Sequence, residues 1–131
     1  MKIIYCITKA DNGGAQTHLI QLANHFCVHH DVYVIVGNHG PMIEQLDARV
    51  NVIILEHLVG PIDFKQDILA VKVLAQLFSK IKPDVIHLHS SKAGTVGRIA
   101  KFISKSKDTR VVFTAHGWAF TCLLYTSDAA D

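Results

Sequence analysis

Two adjacent glycines at the start of a predicted helix are the residues of this sequence best suited to bind an anion. Gly13 and Gly14 follow a hydrophobic run and a polar turn, and they precede apolar residues at helical spacing. A helix that begins there directs unpaired backbone N–H groups and the positive end of its dipole into the turn. Glycine also lets a ligand approach the backbone closely. The pattern predicts a phosphate-type site, and a tight turn without a ligand is the alternative.

This turn does not match the two common nucleotide-binding motifs. The spacing G-x-G-x-x-G is absent around Gly13, and Gly37-Asn38, not an acidic residue, follows the second predicted strand. A dinucleotide-binding dehydrogenase is expected to have both that glycine spacing and an acidic residue after its second strand. Lys92 lies outside any G-x-x-x-x-G-K-[ST] string, so a P-loop is not indicated either.

The elements that must position the glycine turn alternate between strands and helices. The pattern predicts strands over 2–8, 32–36, 50–55, 85–89 and 110–115, and helices over 14–29, 41–46, 64–81 and 92–104. Such alternation predicts an α/β fold with a Rossmann-like parallel sheet covered by helices on both faces. Ligands bind such sheets at the carboxyl ends of the strands. We therefore expect the turns 11–14, 89–94 and 116–118 to lie along one edge.

Apolar residues at helical spacing predict which face each of the two later helices buries. For the long helix over 64–81, the expected buried residues are Leu69, Val73, Leu77 and Ile81. For the helix over 92–104, they are Val96, Ile99, Ala100 and Ile103.

Whole-chain totals exclude several classes of protein. The chain has 131 residues, which suits one domain. A net charge of only +2 argues against a nucleic-acid partner, and no apolar run approaches the ~18 residues that span a bilayer. Cys6, Cys27 and Cys122 have no paired spacing, which indicates free thiols in a reducing compartment. Since no secretory signal is apparent at the start, we expect a cytoplasmic protein.

Three segments of the chain resemble strand-end motifs of family 4 glycosyltransferases of the GT-B fold. They are Ala10–His18, His87–Gly94 and Phe113–Phe120, and the similarity spans roughly residues 1–121. It is greatest to bacterial enzymes that assemble capsular polysaccharide, exopolysaccharide or lipopolysaccharide. The resemblance implies the N-terminal, acceptor-side domain of a retaining, metal-independent hexosyltransferase without a cofactor. Such an enzyme moves a sugar from a nucleotide-sugar donor to a polysaccharide or lipid-linked acceptor.

The same resemblance implies roles for individual residues. Gly13 and Gly14 would approach the donor diphosphate, and His116 would be the catalytic residue near the transferred sugar, where it hydrogen-bonds the sugar or stabilises developing charge. Acceptor contacts are implied for six further residues, which are Gln16, His89, Ser90, Ser91, Lys92 and Trp118. The donor-binding domain of the family, with its paired glutamates, is absent from these residues, so we expect the chain alone to be inactive.

Several of these residues have a purely structural alternative. His116 could satisfy a backbone carbonyl at a strand end, Lys92 could be a solvated residue of a first helical turn, and Trp118 could pack within its loop. His87 and His89 share one strand face, but no cluster with metal-ligand spacing accompanies them. No metal is therefore expected.

The segment 92–107 is basic. Its cations are Lys92, Arg98, Lys101, Lys105 and Lys107. A solvated helix face accounts for this charge, and so does contact with an anionic membrane surface, where a lipid-linked acceptor would lie. The second interpretation predicts a peripheral location at the inner face of the cell membrane.

A stand-alone, non-catalytic nucleotide- or phosphate-binding α/β module is the alternative to a transferase. The downstream gene sequence discriminates the two, because a transferase requires a second α/β domain with two glutamates in its donor loop. A stop codon soon after Thr121 would indicate the module.

The last ten residues, Cys122–Asp131, do not continue the pattern of alternating elements. They resemble the translated read-through of a common sequencing adapter, so we expect residues 122–131 to be a non-native tail after a truncated domain over 1–121. An ordinary helix start at 126–128 is the alternative.

Overall fold

Runs of β-branched and apolar residues form the strands of one parallel sheet. The structure, a computed structural model, describes residues 1–60, 62–105 and 108–114. Its strands are β1 Lys2–Ile7, β2 Asp31–Val36, β3 Asn51–Ile54, β4 Val85–Leu88 and β5 Arg110–Phe113. Its helices are α1 Gly14–Phe26, α2 Pro41–Glu44, α3 Phe64–Ile81 and α4 Ser91–Ser104. The predicted elements are all present, and their ends differ from the predicted ones by at most three residues.

The five strands lie in the order β3-β2-β1-β4-β5, and each neighbouring pair is parallel. β1 is the central strand and pairs with both β2 and β4. Helices α1 and α2 pack on one face of the sheet, and α3 and α4 pack on the other. The predicted Rossmann-like α/β fold is therefore confirmed.

Alternate residues of β1 belong to the two halves of the core, because side chains of a strand point to opposite faces of the sheet. Ile4 and Cys6 pack with α3 and α4, whereas Tyr5 packs with α1 and α2. Burial raises the pKa of the Cys6 thiol to about 12. Cys6 and Cys27 are both buried free thiols, as the cysteine spacing predicts, and Cys122 lies outside the described residues.

The buried face of α4 differs from the predicted one. Val96 and Ala100 are buried, but Ile99 and Ile103 are 47% and 54% exposed, so their predicted inward orientation is wrong. Side-chain size explains the difference. A Cβ atom at Gly97 would lie 2.6 Å from Leu88, and one at Gly94 would lie 2.5 Å from the Phe113 ring. The face of α4 with the smallest residues therefore packs against the sheet, and its isoleucines turn outward.

On α3, Ile81 is buried as predicted, but the centre of the buried face lies about one residue further along the helix than predicted. Its most deeply buried side chains are Ala70, Leu74 and Phe78, while Leu69, Val73 and Leu77 are half-buried. Asp63 caps the start of α3, because its carboxylate accepts a hydrogen bond from the Gln66 amide at 3.1 Å. None of the described helices is both long and apolar enough to cross a lipid bilayer.

Gly37 follows β2 at a point where three loops meet. Its N–H donates to the Thr8 carbonyl oxygen at 2.8 Å. A Cβ atom on Gly37 would lie 2.0 Å from the Leu58 carbonyl oxygen and 2.5 Å from that of Thr8. Both atoms belong to the backbone and cannot rotate away, so only glycine fits without moving the loops.

We expect Gly37→Ala to lower the free energy of unfolding by about 1–3 kcal/mol, the usual cost of forcing extra atoms into a packed site. Urea unfolding measures this change. Gly14→Ala is the matched control, because a Cβ atom there would meet no heavy atom within 4 Å. Alanine also favours the helix by up to about 1 kcal/mol. Equal unfolding midpoints for the two variants would contradict the close approach at Gly37.

Candidate functional site

The carboxyl ends of β1, β4 and β5 lie side by side in the sheet. The His89 N–H donates to the Cys6 carbonyl oxygen at 2.9 Å, and the Thr114 N–H donates to that of Leu88 at 2.9 Å. The loops that follow these three strands therefore begin along one edge, as the sequence predicts for their strand ends. His116 and Trp118 follow Thr114 by two and four positions and lie outside the described residues.

A hydroxyl pair joins the loop after β1 to the loop after β4. The Thr8 Oγ1 donates to the Ser90 Oγ at 2.9 Å, and the same Ser90 oxygen accepts the Ala93 N–H at 3.3 Å, which caps α4. Thr8 is buried and Ser90 is half-buried, so this contact is partly shielded from water. It fixes the loop after β1, which leads into the segment Ala10–His18, relative to the segment His87–Gly94 after β4.

Hydrogen bonds on both sides also hold the loop that leads to the glycine turn. The Ala10 N–H donates to the Asn38 Oδ1 at 2.9 Å, and the Ala10 carbonyl oxygen accepts the Met42 N–H at 3.0 Å. On the other side, the Gln16 side-chain amide donates to the Lys9 carbonyl oxygen at 3.0 Å. The backbone is thus fixed before it reaches the exposed glycines.

Helix α1 begins without a side-chain cap. Gly13 supplies none, whereas Asp63 caps α3 and Ser90 caps α4. Gly13 has extended backbone angles that any residue adopts, and a Cβ atom on Gly14 would enter open space. Packing within the chain therefore does not require glycine at position 14, whereas a Cβ atom on Gly13 would lie 2.6 Å from the Gln16 Oε1. The missing side chains leave the first-turn N–H groups open to an approaching anion.

The structure gives most of the predicted acceptor residues a contact within the chain. Lys92 Nζ donates to Asp67 Oδ1 at 2.6 Å, and this ion pair joins α4 to α3. Gln16 spans the β1–α1 loop, Ser90 caps α4 and His89 is only 2% exposed. Ser91 is exposed at the start of α4. Their acceptor roles stay predictions, as does the diphosphate role of the glycines.

His89 belongs to an aromatic cluster beneath this edge. Its ring centroid lies 4.0 Å from that of His87, 5.7 Å from that of His18 and 5.8 Å from that of Tyr5. The His87 Nε2 is hydrogen-bonded with the Thr114 Oγ1 at 2.7 Å, which links β4 to the end of β5. Burial raises the pKa of the Tyr5 hydroxyl to about 12. Because His18 belongs to α1, this cluster packs beneath the first turns of that helix.

Sequence reasoning did not single out Tyr5, His18 or Thr114 as parts of this site. A usable signal was present, since His18 follows Gly14 by four positions and so lies on the same side of the helix. Tyr5 and His87 are direct neighbours in the parallel register, which the sequence alone does not reveal. Among the side chains that the structure describes, no group of three or more is arranged to hold a metal ion.

Comparisons with known proteins agree with this architecture. The model of the family described as Glycosyltransferase Family 4 matches residues 12–129, a match that extends into the last ten residues. A curated relative in Escherichia coli is the UDP-Gal:alpha-D-GlcNAc-diphosphoundecaprenol alpha-1,3-galactosyltransferase. It is 36% identical over 90 residues, which are 69% of this chain and 23% of that protein.

Several solved structures are also similar, including the following two. Anabaena HepE in complex with UDP and glucose is 27% identical with a TM-score of 0.64, over 89% of this chain and 30% of that one. A glycosyltransferase from Rickettsia africae is 17% identical with a TM-score of 0.70, over 89% of this chain and 30% of that one, and this likeness concerns the fold alone. The chain thus spans about a quarter to a third of the length of these relatives.

We expect the Lys92–Asp67 ion pair to stabilise the packing of α4 against α3. Its side chains are 10% and 24% exposed, so a double-mutant cycle with Lys92→Gln and Asp67→Asn should give a coupling energy of about 1 kcal/mol in urea unfolding. Lys72→Gln, on the exposed side of α3, is the control and should change stability by less than about 0.5 kcal/mol. Strictly additive effects of the two substitutions would show that the pair contributes nothing.

Proposed function

Because this chain belongs to Glycosyltransferase Family 4, we propose that the complete protein transfers a hexose from a UDP-sugar to a lipid-linked glycan in the synthesis of cell-surface polysaccharide. The Escherichia coli relative supports this donor and acceptor class, since its name specifies both UDP-Gal and a diphosphoundecaprenol-linked sugar. The structure of HepE with UDP and glucose supports a UDP-sugar as well. Family membership favours a transferase over a stand-alone binding module.

The observation that carries the proposal is the uncapped, glycine-rich start of α1 at the carboxyl edge of the sheet. Backbone N–H groups and the helix dipole are fixed in place there and need no rearrangement to meet negative charge. In the proposed reaction the donor diphosphate approaches Gly13 and Gly14. Developing negative charge on the departing diphosphate is then stabilised by donors that are already oriented.

In the same proposal His116 is the catalytic residue and contacts the transferred sugar. It follows Thr114 by two positions, and Thr114 lies at the edge that also carries the glycine turn. Gln16, His89, Ser90, Ser91, Lys92 and Trp118 are the proposed acceptor residues. Of the five that the structure describes, Ser91 is the exposed residue. Transfer proceeds with retention of configuration and without a metal.

The division of the chain is also part of the proposal. Residues 1–121 are a truncated acceptor-side domain, and the rest of that domain and the donor-binding half belong to the remainder of the complete protein. The proposal also treats residues 122–131 as a non-native tail, and the family match that continues to residue 129 counts against this part of it. This division accounts for the fraction of its relatives that the chain spans.

We expect Gly14→Ala in the complete protein to weaken the binding of a UDP-sugar about tenfold or more. The new methyl group would occupy the open space over the first-turn amides, and loss of one hydrogen bond to a charged group costs about 1.5–3 kcal/mol. Titration calorimetry measures the affinity. Gly60→Ala, at an exposed loop glycine, is the control and should bind like the unaltered protein. Unchanged affinity in Gly14→Ala would contradict the proposed diphosphate contact.

We also expect no sugar transfer from the 131-residue chain on its own, because it supplies one wall of the proposed cleft. Transfer of radiolabelled hexose from UDP-hexose to a lipid-linked acceptor is the measurement. The positive control is the protein expressed from the gene after it has been sequenced again beyond residue 121. Turnover by the chain alone would refute the proposed division into two halves.

A further inference from the structure

A cavity of about 560 Å³ opens to solvent between the loop after β3 and the first turn of α3. Its volume lies within the range that is usual for small-molecule sites. None of its lining residues belongs to the glycine turn or to the proposed acceptor residues. We call it the β3–α3 cavity, and the residues that line it are Glu56, His57, Val59, Ile62, Asp63 and Gln66.

The polar residues of the β3–α3 cavity offer both donors and acceptors of hydrogen bonds. The His57 Nδ1 donates to the Gln66 Oε1 at 2.7 Å. This bond fixes the loop against the helix, and it leaves the Gln66 amide N–H groups as donors and the Nε2 of the neutral His57 ring as an acceptor. Asp63 uses its Oδ1 to cap α3, so its Oδ2 is a further acceptor.

Two carboxylates give this cavity a negative charge. Glu56 and Asp63 are both exposed, and neither forms an ion pair within the part of the chain that the structure describes. Repulsion between like charges opposes the binding of a phosphate there. The two carboxylates do not make a metal site with His57 either, since no three described side chains of this kind are arranged to hold an ion. The cavity therefore favours an uncharged ligand.

Val59 and Ile62 give the same cavity an apolar part of its lining. A sugar ring matches this combination, because its hydroxyl groups both donate and accept hydrogen bonds while the C–H groups of its faces are apolar. Hydrogen bonds from hydroxyl groups to ionised carboxylates are also stronger than those between neutral groups. The chemistry of the lining thus indicates a neutral carbohydrate.

The cavity lies along the same edge of the sheet as the glycine turn. β3 is two strands away from β1, so about 10 Å separates the ends of these strands. The loops that follow them are in contact, since a Cβ atom on Gly60 would lie 3.6 Å from the Lys9 Cε. A ligand in the cavity and an anion at the glycine turn would therefore be neighbours that share no lining residue.

We propose that the β3–α3 cavity binds a neutral sugar unit of the acceptor glycan. Glu56 and Asp63 accept hydrogen bonds from its hydroxyl groups, and the Gln66 amide donates to one of them. The binding of a neutral sugar does not depend on the proposed reaction, and only the assignment of that sugar to the acceptor rests on the proposed function. The cavity then selects an uncharged part of the acceptor, while the glycine turn holds the negative charge of the donor.

The test is saturation-transfer NMR on the complete protein without a donor. The neutral probes are methyl glucoside, methyl N-acetylglucosaminide and lactose, and glucose 6-phosphate is the anionic competitor. We expect saturable binding of at least one neutral probe, which glucose 6-phosphate does not displace.

Glu56→Gln/Asp63→Asn should weaken the binding of that probe about tenfold or more, because hydrogen bonds to charged groups are lost. Asparagine at position 63 retains the cap of α3. Asp31→Asn/Asp108→Asn is the matched control and should leave binding unchanged. It removes two exposed carboxylates at the opposite edge of the sheet, where β2 and β5 begin.

A second pair of variants tests the apolar part of the lining. Ile62→Ala should weaken the binding of the same probe several-fold, since apolar contact area is lost. Ile68→Ala is the control, because Ile68 is an exposed isoleucine of α3 that does not line the cavity. Its affinity should equal that of the unaltered protein.

Several outcomes would overturn the proposal. They are absence of binding of every neutral probe, equal weakening by the two double variants, or displacement of the neutral probe by glucose 6-phosphate. Circular dichroism and thermal unfolding establish that each variant is folded. In transfer assays, Glu56→Gln/Asp63→Asn should raise the KM for the lipid-linked acceptor and leave the KM for the UDP-sugar unchanged. An unchanged acceptor KM would refute the assignment to the acceptor, and sugar binding without any transfer would refute only the proposed reaction.

Discussion

Parallel pairing of β1 with both β2 and β4 is the constraint on which the rest of the structure depends. It brings the carboxyl ends of all three strands to one edge, so the loops after β1, β2 and β4 must meet there. Hydrogen bonds from Ala10 to Asn38 and from Thr8 to Ser90 then fix those loops to one another. The uncapped start of α1 is consequently held in a defined position. A site built in this way is oriented before any ligand arrives, which is what electrostatic stabilisation of a transition state requires.

Close approach between backbone and side chains is the second organising feature. Because Gly37 has no side chain, the carbonyl oxygens of Thr8 and Leu58 can lie close to its backbone. In the same way, the glycines of α4 leave room for the side chains of Leu88 and Phe113. In the first case the result is a compact edge. In the second case, α4 packs close to the sheet and its larger apolar residues face outward. The same small residues therefore determine both how the helix packs and which surface the chain offers to its surroundings.

Sequence periodicity predicted the order and type of the elements because each strand and helix carries a clear apolar pattern. Asp63 caps α3, and an aspartate directly before a predicted helix is a usual sequence signal for such a cap. On α4, Val96 and Ala100 are buried as predicted, but the inward orientation predicted for Ile99 and Ile103 is wrong. Periodicity weighs hydrophobicity and does not register that Leu88 fills the space beside Gly97. Contacts such as Lys92 with Asp67, or His18 with His89, join residues far apart in sequence. They depend on the final packing of the elements, which a pattern along one chain does not contain.

The central claim is that the first-turn amides of α1 contact the donor diphosphate. Amide chemical shifts of the complete protein, labelled with ¹⁵N in glycine and alanine, test it most directly. On titration with UDP-glucose, we expect saturable shifts of the Gly14 and Ala15 amide resonances, with little change at Gly60. Saturable shifts elsewhere in the protein, with Gly14 and Ala15 unmoved, would contradict the account.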